Sequence, residues 1–196
     1  MRGVEQIPWV YDLGLWVAER FGFIRWRRWL AEGARGRVLD LGTGTGRNLP
    51  WFAAAGPVVA LDPGRHNLRA ARTRRPGALL VRARAEALPF RGGAFDTVVS
   101  GMVFCSVEDP ARGFAEVKRV LGAGGALRMI EHVRSSSPLE AWWQDLIQPA
   151  WTWVSGGCRN NRRTELAVAE AGFEIDPTTR RASGTMRRFV ARARVG

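Results

Sequence analysis

Residues 37–46, RVLDLGTGTG, constrain what this chain can fold into more than any other stretch. Arg37 to Leu41 read as a short buried strand, and Asp40, Gly42, Gly44 and Gly46 make a tight turn into a helix that starts near Arg47. Glycines in such a turn reach backbone angles closed to other residues and let bare N–H groups approach a ligand where side chains would collide. Glycine-rich turns also serve packing alone. The spacing excludes one ligand class: a dinucleotide fingerprint requires G-x-G-x-x-G, and here the third glycine comes one residue early, with Arg47 in its place.

Beyond this turn the chain alternates strand and helix. Strands are expected at 37–41, 57–61, 78–83, 95–100 and 125–131, with helices near 47–55, 64–74 and 110–121. The last helix has Asp109 as its N-cap, Pro110 at its first position and a stop at Gly122. Short continuous apolar strands separated by helices argue for a parallel sheet covered on both faces, wound by right-handed crossovers. Ligands of such sheets bind at the carboxyl ends of the strands, where strand order reverses. Residues 8–33 read as one or two amphipathic helices broken at Gly22, 138–155 as a helical insert, and 161–171 as a helix ending at Gly172. The tail, 173–178 and 185–192, reads as a closing antiparallel pair with Arg180, Arg181, Arg187 and Arg188 facing solvent. The expected fold is α/β: a Rossmann-like, doubly wound, seven-stranded sheet, mostly parallel with an antiparallel C-terminal strand.

At 196 residues the chain has the size of one domain with a real core. Its net charge of +12 is carried almost wholly by arginine, since Lys118 is the only lysine. An excess that large lies on the surface, where it attracts the phosphates of nucleic acids or anionic lipids; codon bias with a solvated basic surface explains it as well. Eight of nine tryptophans fall in two clusters, Trp9, Trp16, Trp26 and Trp29, then Trp142, Trp143, Trp151 and Trp153. Aromatic-rich segments flanking a sheet make a greasy cover suited to an apolar substrate or a lipid interface. Two cysteines, Cys105 and Cys158, form neither a disulfide framework nor a metal cluster. No leader opens the chain, and no apolar run approaches the roughly 18 residues that cross a bilayer. The expectation is a cytoplasmic protein without a metal site, in peripheral contact with an anionic inner membrane face and not with nucleic acid.

Several residues carry candidate chemistry. Asp62 ends the second strand, where a carboxylate can accept both hydroxyls of a ribose whose other end rests on the glycine turn. Pro63 after it also permits a helix-capping role, compatible with the first. Ser100, Gly101 and Met102 follow the fourth strand and either leave room for a ligand or form a plain turn. Cys105 reads as a small core residue or a nucleophile. His132, ending the fifth strand, is an acid–base group or a loop-shaping histidine bonded to backbone. His66 reads as a surface residue, and Asp145 and Arg159 as pocket lining or a solvated face.

An acidic residue followed by G-x-G-x-G resembles the S-adenosylmethionine loop of class I methyltransferases. AEALPF at 85–90, FDTVV at 95–99 and GAGGALRMIEHV at 122–133 resemble the methyltransferase type 11 family, which includes the ubiquinone and menaquinone enzymes. VFCSV at 103–107, WWQDLIQPAW at 142–151 and GGCRNNR at 156–162 look like the thiol methyltransferase branch of the methyltransferase-like proteins. The resemblance covers about residues 36–173. It implies a helical lid over 1–35, a cofactor-binding core over 36–134, a helical insert over 135–172 and closing strands over 173–196. It implies S-adenosyl-L-methionine as cofactor, with S-adenosyl-L-homocysteine as product. Asp40, Gly42, Thr43, Gly44, Gly46, Asp62, Pro63, Ala85, Glu86, Ser100, Gly101 and Met102 would bind it. His132 and Tyr11 would serve catalysis, Tyr11 and Asp12 matching the YD pair of the family's lid. One position departs: the family reads G-D-A-E before ALPF, and Arg84 replaces the aspartate that lies near the adenine amino group. Adenine then depends on the backbone at Ala85 and on a neighbour such as Glu86.

Together these readings point to methyl transfer onto a small or lipid-like apolar acceptor. A thiol comes first, a phospholipid amine or quinone ring close behind. A nicotinamide oxidoreductase is disfavoured by the glycine spacing and by the lack of a Tyr-x-x-x-Lys pair. A nucleic-acid methyltransferase is disfavoured by the lack of an N/D-P-P-aromatic sequence after the fourth strand. A membrane-surface protein that kept the fold without catalysis stays open because of Arg84.

Overall fold

A computed structural model describes residues 23–155 and 157–194. Short, mostly apolar runs of three to seven residues become the parallel strands: β1 (Val38–Leu41), β2 (Val58–Leu61), β3 (Leu79–Val81) and β4 (Phe95–Gly101). They are followed by β5 (Leu121–His132), β6 (Phe173–Ile175), β7 (Arg181–Ser183) and β8 (Met186–Ala193). The helices are α1 (Ile24–Glu32), α2 (Arg65–Arg74), α3 (Pro110–Val120), α4 (Pro138–Ser155) and α5 (Thr164–Glu170). Strand order is β3-β2-β1-β4-β5-β8-β6, with β7 also paired to β8. All pairs from β3 to β5 are parallel, and those of β8 with β5, β6 and β7 are antiparallel. Two short strands, β6 and β7, therefore share the seventh position along one edge of β8. The reversal of strand order falls between β1 and β4, where doubly wound sheets open a ligand crevice.

The period-two alternation of the strands divides the core into two layers. Leu39, Leu41, Val98, Leu127 and Met129 pack with Phe104, Phe114, Phe173 and Phe189 on one face. Val38, Ala60, Val99 and Ile130 pack with Leu30, Leu49, Phe52 and Ala71 on the other. Arg128 seats α1 on that second face. Arg128 donates to the carbonyls of Trp29 (2.5 Å) and Leu30 (3.0 Å), and its guanidinium lies 4.4 Å from the Trp29 ring centroid. A cation at the carbonyl end of a helix suits the helix dipole, and the indole face adds a cation–π contact.

Four expectations need correction. No α-helix forms over 47–55; only a 3-10 turn, Leu49–Trp51, appears there. Pro50 has no N–H to continue an α-helix, and the bonds that form, Leu49 to Gly46, Trp51 to Asn48 and Phe52 to Leu49, all skip three residues. The fifth strand starts at Leu121 rather than 125, because α3 ends at Val120 and Leu121 is already extended. Arg187 does not face solvent: it is 7% exposed and lies 3.5 Å from Glu165. Arg188 instead covers the Trp26 and Trp29 rings at 5.3 and 4.9 Å. The helix expected over 161–171 narrows to α5.

The insert helix α4 is bound by little. Its buried residues are Ala141 and Gln144. Gln144 accepts from Ser135 N (2.7 Å) and donates to the carbonyls of Val133 and Asn160 (3.2 and 3.1 Å). Trp142, Trp143, Trp151 and Trp153 stay exposed. Among the described residues no helix is long and apolar enough to cross a membrane. Tyr11, Asp12, Trp9 and Trp16 lie outside the described residues, as does most of the expected lid.

Candidate active site

The turn after β1 is held from below and from the side. Asp40 is fully buried and accepts from Thr43 Oγ1 (2.6 Å) and Asn48 Nδ2 (3.0 Å). Arg27 of α1 donates in turn to Asn48 Oδ1 (2.6 Å). Burial pushes the Asp40 carboxyl up to about 6, against the pull of those two donors and the Arg27 charge. Asp40 thus anchors the turn rather than facing a ligand, and Thr43 is its partner. Gly42, Gly44 and Gly46 all have positive φ, 65, 56 and 83°, which explains why glycine recurs at these positions. Gly46 serves packing: a Cβ there would stand 2.8 Å from the Ala71 Cα of α2.

Asp62 ties β2 to this turn. Its Oδ2 accepts from Gly44 N (2.9 Å), and its Oδ1 from Gly64 N (2.7 Å) and Asn67 Nδ2 (3.1 Å). Burial raises its carboxyl above the usual range, and the three donors oppose that rise. Two carboxylate oxygens have about four lone-pair sites, so Asp62 keeps capacity for a further donor. Gly64, not Asp62, caps α2.

A cavity of about 610 Å³ opens beside these residues, within the ~300–1,000 Å³ of small-molecule sites. Its wall includes Gly42, Gly44, Asp62, Pro63, Ala85, Glu86 and Met102 from the expected set, joined by Asn67, Arg84, Val107 and Glu108. His66, expected only at the surface, also lines it. A narrow cleft of about 20 Å³ under α1 touches Thr43, Gly101 and Met102. Ser100 lines neither; it is fully buried and its hydroxyl has no partner. Glu86 lies at the cavity, yet its Oε1 accepts from the backbone of Glu108 (2.9 Å) and Asp109 (3.3 Å). Asp145 pairs with Arg134 and Asn161 at the surface, and neither it nor Arg159 lines the cavity.

The segment after β4 carries the cavity's other wall. Met102 has φ 62°, a left-handed conformation costly for a residue with a side chain. It is held there by its amide bond to the Ile130 carbonyl (2.8 Å). The fully buried Glu131 accepts from Val103 N (3.1 Å) and Phe104 N (2.7 Å) through Oε2, and from His132 N (3.1 Å) through Oε1. Burial drives its carboxyl up to about 7, while the His132 charge and those donors pull it down. Sequence reasoning passed over Glu131, whose only signal was an acidic residue inside an apolar strand.

His132 lies outside both cavities, and its Nδ1 is buried without a partner. Its ring contacts the Cys158 thiol, which also interacts with Cys105 and Trp151. The Cys105 donor, seconded by His132, drives Cys158 toward thiolate, and Cys105 in turn is pushed up. The Arg159 amide bonds the Cys105 carbonyl (2.8 Å), stitching the end of the insert to the segment after β4. Cys158 was not singled out from sequence, because its partners come from residues far along the chain. Among the described residues no group of three His, Cys, Asp or Glu side chains is placed to hold a metal ion.

Residues 39–129 match the family described as a methyltransferase domain. Thiol S-methyltransferase TMT1B of Homo sapiens is 33% identical over 153 residues, 72% of this chain and 62% of that protein. Demethylmenaquinone methyltransferase of Renibacterium salmoninarum is 30% identical over 153 residues, 75% of this chain and 65% of that protein. The chain thus spans under two thirds of the length of these curated relatives. Among solved structures, an S-adenosylmethionine-dependent methyltransferase of Mesorhizobium loti superposes with a TM-score of 0.68 at 21% identity. That likeness covers 84% of this chain and 94% of the other, and speaks for the fold alone.

Proposed function

From a chain whose residues 39–129 belong to the methyltransferase-domain family, we propose an enzyme that moves the methyl group of S-adenosylmethionine onto a small apolar thiol. The observation that carries the cofactor half is the cavity that joins the bare Gly42–Gly44 turn to the Asp62 carboxylate. The thiol half rests on the name of the Homo sapiens relative and on the apolar insert helix close to His132 in the chain.

Bound S-adenosylmethionine supplies an electrophilic methyl group and leaves as a neutral thioether. The chain's part is to hold both reactants in line and to keep water away. Gly42 and Gly44 offer close backbone approach at the floor, and Asp62 offers its remaining acceptor site to a ribose hydroxyl. Met102, fixed in its left-handed conformation, shapes the wall shared by the cavity and the cleft under α1. A thiol with an ordinary pKa near 8.5 is only a few per cent thiolate at neutral pH, so proton removal helps. We assign that proton to the unpartnered Nδ1 of His132, which stands outside both cavities in the group with Cys158 and Trp151, so an acceptor thiol would reach it from the side of the insert. An anionic sulfur meeting a cationic sulfonium loses charge on the way to the transition state, and dry apolar walls favour that loss.

A second reading, C-methylation of a reduced quinone ring, draws on the Renibacterium salmoninarum relative and on the same exposed tryptophans. The test is a labelled methyl-transfer panel of short alkyl thiols, phosphatidylethanolamine, demethylmenaquinol and RNA. Label in the alkyl thiol products, lowered by His132→Gln, is the expected result. Label confined to quinol, lipid or RNA removes the thiol assignment.

A further inference from the structure

The cavity has a far rim that the methyl-transfer reading leaves without a task. Arg84 follows β3 and Glu108 follows β4, two strands separated in the sheet by β2 and β1. Their side chains meet across that gap, with Arg84 Nη1 2.9 Å from Glu108 Oε2, and both residues line the cavity. As a surface ion pair the contact would contribute little, so its position is the informative part. We propose that the Arg84–Glu108 pair is the adenine reader of this chain, with Glu108 accepting from the exocyclic amine and Arg84 donating to a neighbouring ring nitrogen. The inference rests on the cofactor assignment and goes beyond it by naming which groups choose the base.

The two edges are complementary. Asp62 holds the sugar position, and Met102 and the glycine turn stand on the side of the transferable methyl. A base carried by that sugar therefore extends toward the β3 side, where Arg84, Ala85, Glu86 and Glu108 form the wall. Adenine presents an acceptor nitrogen next to an amino donor. A guanidinium beside a carboxylate presents the matching donor and acceptor side by side, as an Asn or Gln amide does when it reads adenine. Among the described residues, Glu108 Oε1 and Arg84 Nη2 have no protein partner, which leaves the edge open to the ligand. Glu86 is the rival carboxylate. Its Oε1 is taken up by the amides of Glu108 and Asp109, so it fixes the backbone that carries Glu108. It acts as a positioning residue. The arginine that stands where the family resemblance expects an aspartate is thus not a lost contact: the carboxylate comes from the next loop and the arginine holds it.

The test is titration calorimetry with two probes, S-adenosylhomocysteine and S-inosylhomocysteine, in which an oxygen acceptor replaces the amine. The wild-type chain should prefer the adenosyl compound by about tenfold or more, the range of one good paired contact to a base. Glu108→Gln should reduce that preference to near unity, because a carboxamide can turn its N–H to the inosyl oxygen. Arg84→Met should weaken the adenosyl compound and lower the preference. Both positions are exposed, so thermal unfolding should move little in either variant. A wild-type preference that survives Glu108→Gln, or one abolished by Glu86→Gln while Glu108→Gln leaves it intact, overturns the proposal with the cofactor assignment standing. A wild-type chain that binds neither compound overturns both.

Discussion

Glu131→Gln isolates the effect of burying a carboxylate under the segment that walls the cavity. Wild-type Glu131 has its proton affinity raised from the usual 4.5 to about 7 by burial. At ~1.4 kcal/mol per tenfold change in proton affinity, that displacement corresponds to about 3 kcal/mol. The sign follows from which state holds the proton. Between pH 4.5 and 7 the folded chain keeps a proton on Glu131 that the unfolded chain has lost, so stability falls as pH rises through this window. Below 4.5 the contribution is fully present, and above about 7 it is lost. Glutamine resembles the protonated acid in shape and neutrality and cannot titrate. Urea unfolding of both proteins from about pH 4.5 to 8.5 gives their difference as a function of pH; the glutamine nitrogen cannot accept from His132 N as Oε1 does, which sets an offset against the variant that is the same at every pH. From the acid to the alkaline end the difference should move in the variant's favour by about 3 kcal/mol. Taking the difference cancels Asp40 and Asp62, which titrate in both proteins. A difference that stays flat, or one in which the wild type gains on the variant as pH rises, refutes the reasoning. It would mean that the Val103, Phe104 and His132 amides outweigh burial.

Three further outcomes follow from the geometry. Asp62→Ala removes the acceptor assigned to a ribose hydroxyl, at ~1.5–3 kcal/mol for a hydrogen bond to a charged group; S-adenosylhomocysteine affinity should drop roughly tenfold or more, and unchanged calorimetric binding rules the assignment out. Gly46→Ala forces a Cβ to within 2.8 Å of the Ala71 Cα at φ 83°, and thermal unfolding should report a loss of ~2 kcal/mol or more. The chain should float with vesicles containing anionic lipid and do so less well when Trp142 and Trp153 are replaced by serine; equal flotation removes the tryptophan face from membrane contact.

Elements whose evidence is local were readable in the sequence. The strand at 38–41, the Asp109–Pro110 helix start and the chain reversal at Gly172 each depend on a few neighbouring residues. The 3-10 turn at 49–51 was missed because three alanines after Phe52 have strong helix propensity, whereas Pro50 governs the geometry. Arg187 and Arg188 were misplaced because alternation along β8 gives a face, not a neighbour, and the neighbours, Glu165 and the α1 tryptophans, come from distant segments. The same limit applies at the site. The glycine turn and Asp62 can be recognised from spacing, but Cys158 against His132, Glu131 under Val103 and Glu108 against Arg84 exist only once β3, β4, β5 and the insert are brought together.

Each outer margin of the sheet is built from three-residue pieces: β3 at one side, β6 and β7 at the other. A stranger's backbone that docked there would find too few consecutive amides and carbonyls to zip along, and Arg181 adds like-charge repulsion between copies. The long strands β4, β5 and β8 are all interior. Fibril-like self-association of this protein therefore requires prior loss of a marginal strand, so its tendency to aggregate should follow the local stability of β3 and β6 more closely than the strength of the core.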